Sequence, residues 1–188
     1  MVDQKLVLGV AGMPGSGKSL VVRVAKENGY DAVVMGDVVR REAEKKNLQA
    51  SPENIGRLML ELREKEGKAV IAKRCISLIM EAEKHKVVVD GIRSLDEVEE
   101  FKKRFSKFSL LAICSSPEMR FRRLFRRGRS DDAEGWDVFF QRDMRELSVG
   151  LGNVIAMAEF TVVNEQPSEV VKNRVKHVLR RVEDRWKK

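Results

Sequence analysis

The chain has 188 residues, 43% of them hydrophobic and 35% charged, with a formal net charge of +8. That length suits one domain with a sizeable core, and the composition argues against disorder. No run approaches a membrane span and no leader pattern opens the chain, so a cytoplasmic protein without a membrane partner is expected, and the positive charge suits either nucleic acid or polyanionic substrates.

Taken in order, short apolar runs alternate with helical patterns, which implies parallel βαβ units. Strand 1 is expected over about Lys5–Ala11 and a helix from about Gly17 to Asn28, ended by Gly29. Asp31–Met35 reads as strand 2, with a helix beginning near Asp37. Ser51-Pro52-Glu53 is a strong helix start, a capping serine followed by proline at the first helical position. Ile55, Leu58, Met59 and Leu62 then follow with the spacing of one buried stripe, and Gly67 breaks that helix. Ala69–His85 is expected to form another helix, and Val87–Asp90 a central third strand. Ser94–Arg104 reads as helix, Leu110–Cys114 as strand 4, and Ser116-Pro117-Glu118 caps a helix running to about Arg127. Gly128 to Gly152 is polar and irregular, with a helix inside Gly135–Leu147. Phe160–Val163 is a fifth strand and Pro167–Lys187 a closing amphipathic helix whose Val171, Val175, Val178 and Val182 face the core. The sum is an α/β chain, a parallel sheet of about five strands with helices on both faces.

The junction of strand 1 and the first helix carries the most specific motif. Gly12-Met13-Pro14-Gly15-Ser16-Gly17-Lys18-Ser19 reads G-x-x-x-x-G-K-S between a buried strand and a helix, the phosphate-loop pattern. Glycines 12, 15 and 17 let successive N–H groups, including those of Ser16 and Leu20, turn toward phosphate oxygens at a helix N-terminus. Lys18 suits the β- and γ-phosphates, and the Ser19 hydroxyl suits Mg²⁺. A nucleoside triphosphate, ATP, with Mg²⁺ is the expected ligand. Asp90 closes a hydrophobic strand, where such proteins place an acid toward the magnesium, although a turn-forming Asp before Gly91 is the plainer reading of that residue alone. Cys75 and Cys114 read as free thiols in buried elements, and His85 and His177 lack ligand spacing.

Gly36-Asp37-Val38-Val39-Arg40 lies where strand 2 ends beside the phosphate loop. Here the chain resembles the nucleoside monophosphate kinases, especially the adenylate-kinase group, whose strand 2 likewise runs into G-D-x-x-R. The resemblance implies that Arg40 grips the acceptor's phosphate and Asp37 is the motif acid. Asp90-Gly91-Ile92-Arg93 resembles their D-G-[FY]-P-R segment, without the proline and with the arginine one residue early, which implies the same task for Arg93. In the helix Arg120-Phe121-Arg122-Arg123-Leu124-Phe125-Arg126-Arg127, the apolar residues Phe121, Leu124 and Phe125 are assigned to the core and Arg120, Arg122 and Arg126 to a solvated face. By register with the family, Arg123 packs on the adenine and Arg127 reaches the phosphates.

The resemblance further implies a three-layer α/β/α P-loop NTPase fold in one domain, residues 1–188, with an acceptor-binding helical region at about 37–85 and a short lid at about 128–150. Arg142 and Arg145, three apart on the lid helix, are the candidates for neutralising the transferring phosphoryl group. Asp131 and Asp132 read as a surface turn, and Trp136 either covers a base or packs the lid helix. The last third is similar to the dephospho-coenzyme A kinases, through Ser116-Pro117-Glu118 and the strand Ala158–Asn164. The whole chain looks closest to archaeal nucleotide-kinase-like proteins between these two groups. The implied activity is phosphoryl transfer from ATP to a nucleoside monophosphate, AMP first, with Lys18, Arg127, Arg142 and Arg145 catalytic. Dephospho-coenzyme A, with Asp37 as base, is the alternative acceptor. An ATPase switch acting on RNA stays open as another class, against which stand an aromatic content of 6% and the lack of an RNA-binding pattern.

Overall fold

Five parallel strands form a single sheet in the order β2-β3-β1-β4-β5. The computed structural model describes residues 3–49, 51–127 and 135–187. Its strands are β1 (Asp3–Ala11), β2 (Asp31–Val34), β3 (Lys86–Asp90), β4 (Phe105–Cys114) and β5 (Phe160–Val163). Alternation of side chains splits the strands between two cores. Val7 and Ala11 of β1, with Val87 and Val89 of β3, face one side. Leu6, Leu8, Val10 and Val88 face the other. Burial on both faces explains why these strands read as unbroken apolar runs.

Nine helices are present among the described residues: α1 (Lys18–Glu27), α2 (Met35–Lys45), α3 (Pro52–Glu66), α4 (Val70–Glu81), α5 (Leu95–Arg104), α6 (Pro117–Arg127), α7 (Trp136–Val149), α8 (Leu151–Ala156) and α9 (Ser168–Trp186). Helices α1 and α9 cover the Leu8 face, with Val171, Val175, Val178 and Val182 buried as their spacing requires. Helices α2 to α5 and α8 cover the opposite face. The three-layer α/β/α arrangement is therefore complete.

Local chemistry sets the boundaries. Ser51 Oγ accepts from the Asn54 N–H at 3.2 Å, the cap expected for α3. Ser94 and Glu97 form a reciprocal capping box that starts α5. Three boundaries differ from the sequence reading. Strand β4 begins at Phe105, directly after α5, because Phe105 and Phe108 are buried and extend the ladder alongside β1. Helix α4 stops at Glu81 instead of His85, since Ala82 turns into an extended conformation and Lys5 Nζ donates to its carbonyl. Helix α8 begins in the last two residues of the stretch read as irregular and runs on to Ala156, where the sequence reading has no element, tucking Leu151 and Val154 into the core after Gly150 turns the chain at φ 110°.

The first part of the expected lid, residues 128–134 with Asp131 and Asp132, lies outside the described residues. Among the described residues no helix is long and apolar enough to cross a membrane, and no cluster of His, Cys, Asp and Glu could hold a metal. Cys75 and Cys114 are free thiols.

Phe101 is fully buried and stacks on Phe108 with ring centroids 6.0 Å apart. Phe101→Ala is expected to cost about 3–5 kcal/mol, read as a shift of the denaturant midpoint with an unchanged slope.

Candidate functional site

The β1–α1 loop lies at the carboxyl end of the sheet, where open α/β folds bind ligands. Gly15 and Gly17 take φ of +78° and +105°, a left-handed backbone that turns the loop into the helix. Gly17 is doubly constrained, because a Cβ there would stand 2.1 Å from Asn164 Nδ2. That amide donates to Ser16 O at 2.8 Å, so the segment after β5 braces the loop. Lys18 Nζ arches back over the loop, donating to Gly12 O at 2.7 Å and Met13 O at 3.4 Å. Leu20 turns away: its side chain packs against the α1–α9 core and its N–H donates to Gly17 O at 2.9 Å.

Beside the loop, Val10 of β1 is in register with Asp90 at the end of β3. Burial pushes the Asp90 carboxyl above its ordinary range, opposed by the positive charges of Lys18 and Arg93. Burial likewise holds the Lys18 ammonium below its ordinary value, against the pull of Asp90 and Glu146. Asp90 Oδ1 and Ser16 Oγ are buried without a hydrogen-bond partner. An orphaned carboxylate oxygen next to a lysine-capped glycine loop is a donor set that fits a magnesium-bound phosphate chain.

Two adjoining depressions open from the loop. The larger, about 620 Å³, is lined by Lys18, Ser19, Asp37, Arg40, Asp90, Arg123 and Arg127, among others. The second holds Lys18, Arg40, Asp90, Arg93, Arg127 and Arg142 together with Glu146. Thus Asp37, Arg40, Arg93, Arg123, Arg127 and Arg142, which span over 100 positions of sequence, converge on Lys18. Arg123 is held by donating to Ser115 Oγ at 2.8 Å and Asn164 O at 2.6 Å. Arg40 pairs with Asp37 one turn earlier on α2. Arg93 Nε lies 2.8 Å from Glu146 Oε2.

Arg145 does not reach this cleft. It lies in a side chamber with Arg40, Arg93 and Arg142, where its guanidinium covers Gly56 of α3. A Cβ at Gly56 would sit 2.1 Å from Arg145 Nη1, so the absent side chain is the seat for the arginine.

Helix α6 departs from expectation at two residues. Phe125 is 63% exposed, while Arg120, assigned to a solvated face, is 4% exposed. Arg120 donates to both oxygens of Asp143 on α7, at 2.8 and 2.6 Å, and to the carbonyls of Pro14 and Ser115. Its guanidinium also lies 5.0 Å from the centre of the Phe139 ring. The aromatic contacts of Phe121 with Trp136 and Phe139 pack α7 onto α6. Arg122 and Arg126 are exposed, as read.

Sequence reading missed Asp143 and Glu146. The available signal was their spacing from Phe139, at i+4 and i+7, which places two acids on the buried face of α7. It also missed the buried pair of Arg63 on α3 with Glu97 on α5. Glu97 Oε2 accepts from the Arg93 N–H at 2.7 Å and thereby fixes the backbone that carries Arg93.

Comparison with known proteins agrees with this architecture. A family model described as an AAA domain matches residues 11–139. A UPF0200 protein of Methanocaldococcus jannaschii is 46% identical over 179 residues, covering 94% of this chain and 90% of its own. A UPF0200 protein of Hyperthermus butylicus is 46% identical over 178 residues, covering 95% of each. In three dimensions the chain is similar to TT1252 from Thermus thermophilus, with TM-score 0.64, 20% identity and 95% and 98% of the two chains covered. It is similar also to a shikimate kinase from Acinetobacter baumannii in complex with shikimate, at TM-score 0.59 and 17% identity over 98% and 96%. A gluconokinase from Sinorhizobium meliloti gives TM-score 0.59 and 16% identity over 97% and 96%. At such identities the likeness is one of fold, that of the phosphate-loop kinases.

Breaking the buried Arg120–Asp143 pair with Asp143→Asn is expected to cost about 3–5 kcal/mol in chemical denaturation. The double replacement Arg120→Met with Asp143→Leu should recover most of that loss, since no unpaired charge is then left inside.

Proposed function

The chain belongs to the UPF0200 family, and we propose that it is a phosphotransferase moving the γ-phosphoryl group of ATP to a nucleoside monophosphate, AMP being the first acceptor to test. The observation that carries this reading is the convergence of Arg40, Arg93, Arg127 and Arg142 with Lys18 and Asp90 around one depression. A monophosphate acceptor brings an oxygen nucleophile that is already ionised, so the protein must supply clamps and positive charge more than a base. Among the described residues, four arginines against two carboxylates in that depression suit this demand.

In this reading the loop N–H groups, Lys18 and Arg123 hold ATP, and Ser19 with Asp90 holds Mg²⁺. The bound magnesium nucleotide supplies the transferable phosphoryl group with its charge partly neutralised. Arg40 and Arg93 orient the acceptor's phosphate, Arg40 being pre-set by Asp37 and Arg93 by the Glu97 bond to its backbone. Arg127 and Arg142 approach from α6 and α7 and stabilise charge that develops during transfer. Arg145, seated on Gly56, holds α7 against α3 and serves the site through position. Residues about 37–85 form the acceptor side and the stretch about 128–150 the lid, which excludes water on closing.

A second reading, transfer to a ribose hydroxyl as in dephospho-coenzyme A, draws on one observation. The raised Asp90 carboxyl is suited to accepting a proton. Asp37, the base first considered for that reaction, is committed to Arg40.

The test is ATP-dependent phosphorylation of AMP, CMP, UMP, GMP, dCMP and dephospho-coenzyme A by the wild type and by Lys18→Ala. Turnover of a nucleoside monophosphate, lost in Lys18→Ala, is expected. Arg127→Ala and Arg142→Ala should each lower kcat by about 10²–10³, the scale of one lost charge-stabilising donor. Failure of every acceptor while Lys18-dependent ATP hydrolysis persists would overturn the kinase reading.

A further inference from the structure

The chamber between α2, α3 and α7 has about 70 Å³ of space, room for one small anionic group and no nucleobase. Among the described residues its walls are Gly36, Val39, Ile55, Gly56 and Met59, with Arg40, Arg93, Arg142 and Arg145 as cations and Glu146 as an acid. Glu146 belongs to α7, the element that carries Arg142 and Arg145, and it is 6% exposed. Its Oε2 lies 2.8 Å from Arg93 Nε, close enough for strong attraction. Yet that oxygen makes no hydrogen bond in the buried chamber. That oxygen is thus held on Arg93 as an ion pair, with its own hydrogen-bonding demand unmet.

We propose that Glu146 is an internal competitor, a carboxylate resting on Arg93 in the place that the acceptor's anionic group must take. The proposal rests on the reading that Arg93 faces the acceptor, and it sets the acceptor's chemical class. An incoming carboxylate exchanges one single negative charge for another on the same guanidinium and gains little. A phosphate monoester brings nearly two charges and three acceptor oxygens, which Arg40, Arg93 and Arg142 can share. Glu146 therefore sets a threshold that phosphate monoesters pass and simple carboxylates do not. Docking of Arg145 over Gly56 keeps α7 in place, so that the competitor stands at a fixed distance from Arg93. A specificity role of this kind makes Glu146 inhibitory to binding, the opposite of what a stabilising ion pair would do.

The experiment is calorimetric titration of the full chain, with its phosphate loop saturated by a non-hydrolysable ATP analogue and Mg²⁺, using methyl phosphate or acetate as the probe. Wild type should bind methyl phosphate and show no measurable heat with acetate. Glu146→Gln keeps the side chain's shape and removes its charge, so methyl phosphate should bind roughly tenfold tighter and acetate binding should become measurable. Glu146→Asp withdraws the charge from Arg93 by one methylene and should also tighten methyl phosphate binding, which keeps the test decisive if the glutamine variant does not fold. Unchanged or weaker methyl phosphate binding in a folded Glu146 variant overturns the proposal, as does acetate binding to wild type as tightly as methyl phosphate. If tightening occurs while no nucleoside monophosphate is turned over, the kinase reading fails and the competitor stands. If turnover occurs but the Glu146 variants bind methyl phosphate no better, the competitor alone fails.

Discussion

One buried guanidinium holds the functional end of the molecule together. Arg120 reaches Pro14 in the phosphate loop, the Ser115 carbonyl beyond β4, and both oxygens of Asp143 on α7. Three segments remote in sequence thus share a single planar cation. Planarity matters, since a guanidinium offers five donors in fixed directions and an ammonium does not. The glycine loop is a polar turn at the end of a hydrophobic strand, and it holds its shape because Arg120 on one side and Asn164 on the other donate to its Pro14 and Ser16 carbonyls.

Around this brace the site is shaped first by the burial of charge and then by the attraction and repulsion among its ions. Burial and the nearby Arg93 and Arg142 weaken the charged form of Lys18, while Asp90 and Glu146 restore part of it. Burial also works against the ionised form of Asp90. Such a cluster is costly in isolation and favourable once polyanions enter, so the same charges that lower stability create affinity. Acidic side chains on α2, α5 and α7 relieve the cost in the meantime: Asp37 on Arg40, Glu97 on Arg63, Asp143 on Arg120 and Glu146 on Arg93.

How far the sequence disclosed this depends on how local the cause is. The phosphate loop, the Ser51 cap and the valine stripe of α9 follow from neighbours in sequence, and the sheet follows from unbroken β-branched runs. The brace does not, because Arg120 sits in a helix with four other arginines and only the position of Asp143 on a distant helix removes it from solvent. Phe125 misled for the matching reason: helical spacing groups it with Leu124, but none of the described elements covers that flank, leaving it exposed. Gly56 was invisible as a site residue because glycine inside a helix usually registers only as a weakness, and its reason is a side chain from α7. The start of β4 at Phe105 was hidden since its partner strand, β1, lies about a hundred residues earlier.

That separation bears on how the chain acquires its shape. Strand β1 lies in the middle of the sheet, with Val7 beside Val87 on one edge and Phe108 on the other. The β3 neighbour is complete only at Asp90 and the β4 neighbour only at Cys114, so the first strand and the loop that follows it wait as an apolar segment without a ladder. Closing such long spans demands chain entropy before any pairing energy returns, a pattern associated with slow folding and exposure to aggregation. The last strand, β5, then completes the edge and delivers Asn164 to the loop. The segment that emerges first is accordingly the last whose geometry is fixed, and a chain truncated before residue 164 would carry the complete phosphate-loop motif without its brace.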